Sequence, residues 1–187
     1  MKKLNKNITG VIMAGGKSSR MGTDKGLMNF NGKPMVLYTI ELLTSIFDTV
    51  IISSNSVEYE RFGLKCFPDV YKNCGPIGGL HTILQSLKTE FAFVISCDMP
   101  LVSTEDVIKI INHCNQFQIV IPLINNMLEP LCAIYSKTLL PEIEERIQSN
   151  RYKLADLVEH SNTKYIDFNS EKGFRNFNTK EDFLKQI

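Results

Sequence analysis

Ile8-Thr9-Gly10-Val11-Ile12-Met13-Ala14-Gly15-Gly16-Lys17-Ser18-Ser19-Arg20-Met21-Gly22-Thr23-Asp24-Lys25 is the stretch that decides the fold. Its apolar run, Val11-Ile12-Met13, stops at Ala14-Gly15-Gly16, and a basic, hydroxyl-rich segment follows. A buried strand that ends this way delivers a loop of backbone N–H groups to an anion. Small residues let the main chain approach phosphates, and Lys17, Arg20 and Lys25 supply positive charge. The first strand of an α/β sheet also commonly opens the ligand crevice. Gly16-Lys17-Ser18 imitates the end of a Walker A sequence, but the upstream glycine that motif needs falls on Val11. No G-x-G-x-x-G is present either. What is left is a phosphate loop of another kind, or a glycine-rich turn that binds nothing.

Outward from this stretch, strand-like runs alternate with amphipathic helical patterns. Pro34 stands near the start of a helix with Leu37, Ile40, Leu43 and Phe47 at helical spacing. Val50-Ile51-Ile52 reads as a second strand ending in Ser53-Ser54-Asn55, and residues 64–67 as a third, closed by Pro68-Asp69. Pro76 fits the first turn of a helix with Ile77, Leu80, Leu84 and Leu87 on one face. Residues 91–95 are continuously apolar, as in a strand covered on both sides. Ser103 and Asp106 form a capping box for a helix that turns Val107, Ile108, Ile111 and Cys114 inward. This rhythm predicts an α/β chain: a three-layer α/β/α sandwich, Rossmann-like, with a mostly parallel sheet. After Gln116 the pattern changes. Residues 119–122 and 131–135 suggest a hairpin or an antiparallel strand added to the sheet. Helices near 138–148 and 153–160, a strand at 164–168 and a closing helix at 179–186, capped at Asn178 or Thr179, complete the expectation.

At 187 residues the chain suits a single domain, 1–187. Lys+Arg 21 against Asp+Glu 20 leaves a net charge of +1, so no basic field asks for nucleic acid. Lys2, Lys3 and Lys6 precede an apolar run too short for a signal peptide, and no stretch has the length of a membrane span. The five cysteines form no C-x-x-C pair, and the three histidines show no zinc spacing. Reduced thiols in a cytoplasmic protein without membrane attachment are expected.

Several residues share the address where α/β sheets bind ligands. Asp98 follows the most apolar strand; it could hold Mg²⁺ or start the turn before Pro100. Asp69 could accept from a ribose or base, or cap the loop at Asn73-Cys74-Gly75. Gly75-Pro76-Ile77-Gly78-Gly79 could pass a flat base along its backbone, or serve only as a helix entry. Asn176 and Asn178 bring two amides to a helix start, where Asn178 could act simply as the cap. Cys97 follows a core strand with no histidine near it, which reads as a packed thiol. No G-x-S-x-G elbow supports a hydrolase.

Together these segments resemble the molybdenum cofactor guanylyltransferases, the MobA family, within the nucleotidyltransferases of glycosyltransferase-A-type fold. Residues 13–25 are similar to that family's L-A-G-G-x-S-x-R-M-G-x-D-K, and residues 75–79 to its G-P-L-A-G. Cys97-Asp98-Met99-Pro100 is similar to C-D-x-P, Glu129-Pro130-Leu131 to Q/H-P-L, and residues 176–182 to N-x-N-T-P-E-D. The resemblance runs from Ile8 to the C-terminus. Cytidylyltransferases of the same pathway look more like A-A-G with G-D-M-P. Departures fall at Met13, Gly78, Glu129 and Lys180, and Glu129 bears on acceptor contacts.

The resemblance implies a Mg²⁺-dependent transferase that passes GMP from GTP to the phosphate of the molybdopterin cofactor and releases pyrophosphate. Arg20, Lys25 and Asp98 are then catalytic, with Asp98 as metal ligand. Met13, Ala14, Gly15, Gly16, Lys25, Asp69, Gly75, Gly78 and Asp98 bind the nucleotide. The N–H groups of Ala14, Gly15 and Gly16 are expected to cradle phosphates, and Asn176 and Asn178 to meet the acceptor. The nucleotide half spans about 8–115 and the acceptor half about 116–187. Transient contact with molybdenum-cofactor insertion proteins, by a monomer or weak oligomer, is also implied. A sister enzyme using CTP or a sugar 1-phosphate, or a nucleotide-binding regulatory module without turnover, are the competing expectations.

Overall fold

Side chains alternate faces along a strand, so a run apolar at every position must be covered on both sides. The computed structural model describes residues 7–15 and 24–177. Its strands are β1 (Ile8–Met13), β2 (Asn29–Phe30), β3 (Lys33–Pro34), β4 (Val50–Ser53), β5 (Lys65–Phe67), β6 (Phe91–Ser96), β7 (Ile119–Ile124), β8 (Met127–Leu128), β9 (Cys132–Ser136) and β10 (Thr163–Phe168). The helices are α1 (Met35–Ile46), α2 (Pro76–Ser86), α3 (Thr104–Ile111), α4 (Leu140–Gln148) and α5 (Leu154–His160). Among the described residues an eight-stranded sheet runs β10-β7-β9-β6-β1-β4-β5, with β8 paired to β7. Pairing is parallel except at β8 and at β9, which lies antiparallel between β6 and β7.

The expected three layers are present. Ile8 and Ile12 of β1, with Phe91, Phe93 and Ile95 of β6, meet Val36, Leu43 and Phe47 of the α1 region and Val107 and Ile110 of α3. Val11, Ala92, Val94 and Ile121 turn the other way, onto Ile77, Leu80 and Leu84 of α2, Ile143 of α4 and Leu157 of α5. The open choice after Gln116 resolves into both options at once. β9 is antiparallel to β7 and also extends the sheet beside β6.

Helix faces differ in detail from the sequence pattern. On α1, Val36, Thr39, Leu43 and Ile46 are buried with Phe47, while Leu37 and Ile40 are half-buried. On α3, Ile110 replaces Ile108 in the core, because 107, 110, 111 and 114 share one face and 108 is a step of about 100° away from 107. The capping box is confirmed: Asp106 N–H donates to Ser103 Oγ (3.2 Å), and Ser103 N–H to Asp106 Oδ2 (3.0 Å). An unforeseen hairpin, β2–β3, turns at Asn31-Gly32 with φ of 46° and 93°. It packs Phe30 on Phe177 (ring centroids 4.7 Å apart), tying the chain near 177 to the region after Asp24. The expected closing helix and its cap lie outside the described residues.

No helix among the described residues is long and apolar enough to cross a membrane. All five cysteines are free. Phe93 is fully buried in the sheet and stacks on Phe47 (centroids 5.7 Å apart). Phe93→Ala should therefore cost about 3–5 kcal/mol, read as a lower urea midpoint with unchanged slope.

Candidate active site

β1 is held in parallel register on both sides, Val11 opposite Ile51 and Val94, so Met13, Ser53 and Ser96 end level. The loops that follow open at one carboxyl edge, where a cleft of about 680 Å³ lies. Met13, Ala14 and Gly15 line it from β1 and the residues just after it, residues 53–56 from the end of β4, Asp69, Asn73 and Gly75 from the β5–α2 connection, and Pro76 and Gly79 from the first turn of α2. Asp24, Ser96 and Leu131 complete the wall.

The main chain after β1 corrects one expectation. Ala14 lines the cleft, but its N–H donates to the Ser53 carbonyl (2.9 Å), because the β1–β4 ladder runs one rung past the strand. One of the three amides assigned to phosphates is therefore engaged within the protein. Gly15 has φ of 127°, which turns the chain out of the sheet and which a side chain would strain. Gly16 and Arg20 lie outside the described residues, as does Asn178.

Two adjacent glycines of α2 serve different purposes. A Cβ on Gly79 would stand 2.5 Å from Met13 Cε, 2.9 Å from Ser53 Oγ and 3.3 Å from Asp69 Oδ1, so its bareness keeps the cleft open. A Cβ on Gly78 would instead meet the Tyr71 carbonyl at 2.6 Å. That glycine packs the helix onto its own entry loop. Gly75 lines the cleft as expected. Asp69 is clasped by Asn55: Asn55 Nδ2 donates to Asp69 Oδ2 and Asp69 N–H donates to Asn55 Oδ1, both at 2.9 Å.

At the other end Ser96 Oγ donates to Asp98 Oδ1 (2.5 Å), and Lys25 Nζ stands 3.8 Å from Asp98 Oδ2. The Asp98 carbonyl accepts from Phe177 N–H (3.1 Å), and Asn176 Nδ2 donates to Glu129 Oε2 (3.5 Å). Burial above all pushes the Glu129 carboxyl up to about 7, and neighbouring Asp98 adds to it. Bonds from the Leu131 amide and Asn176 pull the other way without cancelling the rise. Cys97 is buried and its thiol is pushed up to about 12, first by burial and then by Asp98 and Asp24, as suits a packed thiol rather than a nucleophile. No group of three or more His, Cys, Asp or Glu able to hold a metal occurs among the described residues.

Lys25, Asp98 and Asn176 thus converge, and Met13, Gly15, Asp69 and Gly75 stand on the cleft. Asn55, Ser54 and Ser56 were not singled out from the sequence, whereas Gly79 belongs to the segment 75–79 expected to pass the base. Ser53-Ser54-Asn55 nevertheless ends a buried strand at the same edge as Asp69 and Asp98, which was the available signal.

Residues 10–164 match the family model described as MobA-like NTP transferase domain. A Flavobacterium johnsoniae protein named "Probable molybdenum cofactor guanylyltransferase" is 36% identical over 152 residues, 81% of this chain and 80% of that protein. A crystal structure of a protein from Aquifex aeolicus superposes with a TM-score of 0.78 at 26% identity, covering 94% of this chain and 95% of that one. Molybdopterin-guanine dinucleotide biosynthesis protein A from Archaeoglobus fulgidus gives 0.78 at 21% identity, with 95% of each chain covered, and shows the shared fold.

Gly79→Ala should weaken nucleotide binding about tenfold by narrowing the cleft, measured by calorimetric titration with GTP. Glu129 sets a pH dependence. Its folded value lies above the ordinary 4.5, so its stabilising contribution is complete below 4.5 and is lost as pH rises through about 7. Glu129→Gln should therefore flatten the decline in melting temperature between pH 5 and pH 8.

Proposed function

The chain belongs to the family of MobA-like NTP transferase domains, and from that premise we propose that it transfers GMP from GTP to the terminal phosphate of the molybdopterin cofactor. The observation that carries this assignment is the approach of Lys25 to Asp98, 3.8 Å apart, next to Asp24 and Ser96 in the wall of the cleft. A nucleotide laid along the cleft places ribose and guanine by Asp69, Asn55, Gly75 and Gly79, and its α-phosphate by Lys25 and Asp98.

In the reaction an acceptor phosphate oxygen bonds to the α-phosphorus of GTP, and the bond from that phosphorus to the α,β-bridging oxygen breaks. Pyrophosphate leaves with that oxygen. Little covalent chemistry falls to the protein, so alignment and charge stabilisation supply the rate. Lys25 offsets charge growing on the phosphorus oxygens and the leaving group. The Gly15 amide, Gly16 and Arg20 carry the rest of the phosphate cradle, since the Ala14 amide is engaged in the ladder. Asn176, held by Glu129, is assigned to the acceptor, and so is Asn178. Residues 8–115 thus serve the nucleotide and 116–187 the acceptor.

Mg²⁺ fits Asp98: a hard carboxylate fixed by Ser96 is the kind of single protein ligand that this ion uses together with phosphate oxygens and water. Bound there, it would neutralise phosphate charge.

Pyrophosphate release from GTP, CTP and UTP, with molybdopterin and Mg²⁺ present, tests the assignment. GTP should be preferred, and Lys25→Ala and Asp98→Ala should each lower kcat/KM by about 10²–10³. Preference for CTP or UTP, or full turnover in either variant, would remove it.

A further inference from the structure

Lys25 is only useful if its backbone is held, and the structure spends a buried tyrosine on that task. Tyr59 sits in the short turn Val57–Phe62 after β4 and is fully buried. Its hydroxyl donates to Asp24 Oδ1 at 2.5 Å, across 35 residues of sequence. The same oxygen accepts from Gly26 N–H (3.1 Å), so Asp24 caps the turn Lys25–Leu27. The Asp24 and Lys25 carbonyls accept from Leu27 and Met28 N–H, both at 3.1 Å. A Cβ on Gly26 would collide with Tyr59 Oη and stand 2.9 Å from Cys97 Sγ. Gly26 is therefore wedged between the chain leaving β4 and the chain leaving β6. Burial, with Cys97 and Asp24 beside it, raises the Tyr59 phenol far above the usual tyrosine range and keeps it a donor.

We infer that Tyr59 is a positioning residue for Lys25: through Asp24 its hydroxyl fixes the turn that aims the ammonium at the phosphates. The inference rests on the role given to Lys25 above. A phenylalanine would fill the same space, so the hydroxyl is the part with a separate task.

Tyr59→Phe deletes that oxygen and keeps the ring. In the full chain with Mg²⁺, calorimetric binding of inorganic pyrophosphate should weaken about tenfold, as suits loss of a charge-assisted hydrogen bond. Asp24→Ala should lose a similar amount, and Asp24→Asn, which retains an oxygen acceptor, less. In a Lys25→Ala background the further cost of Tyr59→Phe should fall below about twofold, because its effect runs through the lysine.

Equal losses in both backgrounds, or wild-type affinity in Tyr59→Phe, would overturn the inference. Loss in Asp24→Ala without loss in Tyr59→Phe would put Asp24 on the ligand itself and overturn it too. So would a wild type that binds no pyrophosphate. If Tyr59→Phe does not fold, the same cycle run with Asp24→Ala decides. GTP turnover of the wild type is scored separately. An inactive wild type with the non-additive pattern removes only the GTP and acceptor assignment, whereas an active one without the pattern removes only the role of Tyr59.

Discussion

Parallel registry of β1 with β4 and β6 is the constraint on which the site depends. Each rung consumes an N–H and a C=O, and the ladder continues one step beyond the strand on both sides. Ala14 N–H reaches Ser53 on one side and Cys97 N–H reaches Met13 on the other. The chain is thus held rigidly as far as Gly15, where a positive φ turns it away. Apolar packing on both faces locks this register. A slip of one residue would send Val11 and Ile12 into each other's layers.

The cleft and its surroundings carry Asp24, Asp69, Asp98 and Glu129, an adverse charge for a site meant to hold a triphosphate. Each carboxyl has a commitment that limits the conflict. Asp24 is tied to Tyr59 and Gly26, Asp69 to Asn55, and Asp98 to Ser96 with Lys25 nearby. Glu129 answers differently, since burial favours its protonated form up to about pH 7. Its two acceptor bonds, from Leu131 and Asn176, then hold the strap that brings Phe177 N–H onto the Asp98 carbonyl. Hydrogen bonds and one retained proton thus let acidic residues surround an anion site.

Local signals carried a large part of the structure. The apolar runs of β1, β4 and β6, the Pro76 helix entry and the Ser103–Asp106 cap depend on neighbouring residues, and each was legible. So was the position of Asp69 and Asp98, because a residue just after a strand that runs parallel to β1 stands at the carboxyl edge of the sheet. Less was legible where two registers satisfy one pattern. Ile108 and Ile110 are both apolar and flank the stripe of 107, 111 and 114 on either side, and the way the helix lies on the sheet buries Ile110. The Asn31-Gly32 turn had a recognisable signature, but its flanking strands are two residues each and show no periodicity.

By itself, the sequence determined the order of elements, the layered α/β class, the glycine-rich exit from β1 and the candidate carboxylates. All of these follow from periodicity and turn chemistry within a few residues. Only the tertiary structure decided that the Ala14 amide belongs to the ladder, that Gly79 rather than Gly78 keeps the cleft open, and that Asn55 clasps Asp69. It alone decided that Tyr59 holds Asp24 and, through it, the turn of Lys25. Each of these is a distance between segments far apart in the chain, where one hydrogen bond or one collision selects the outcome and no local pattern records it.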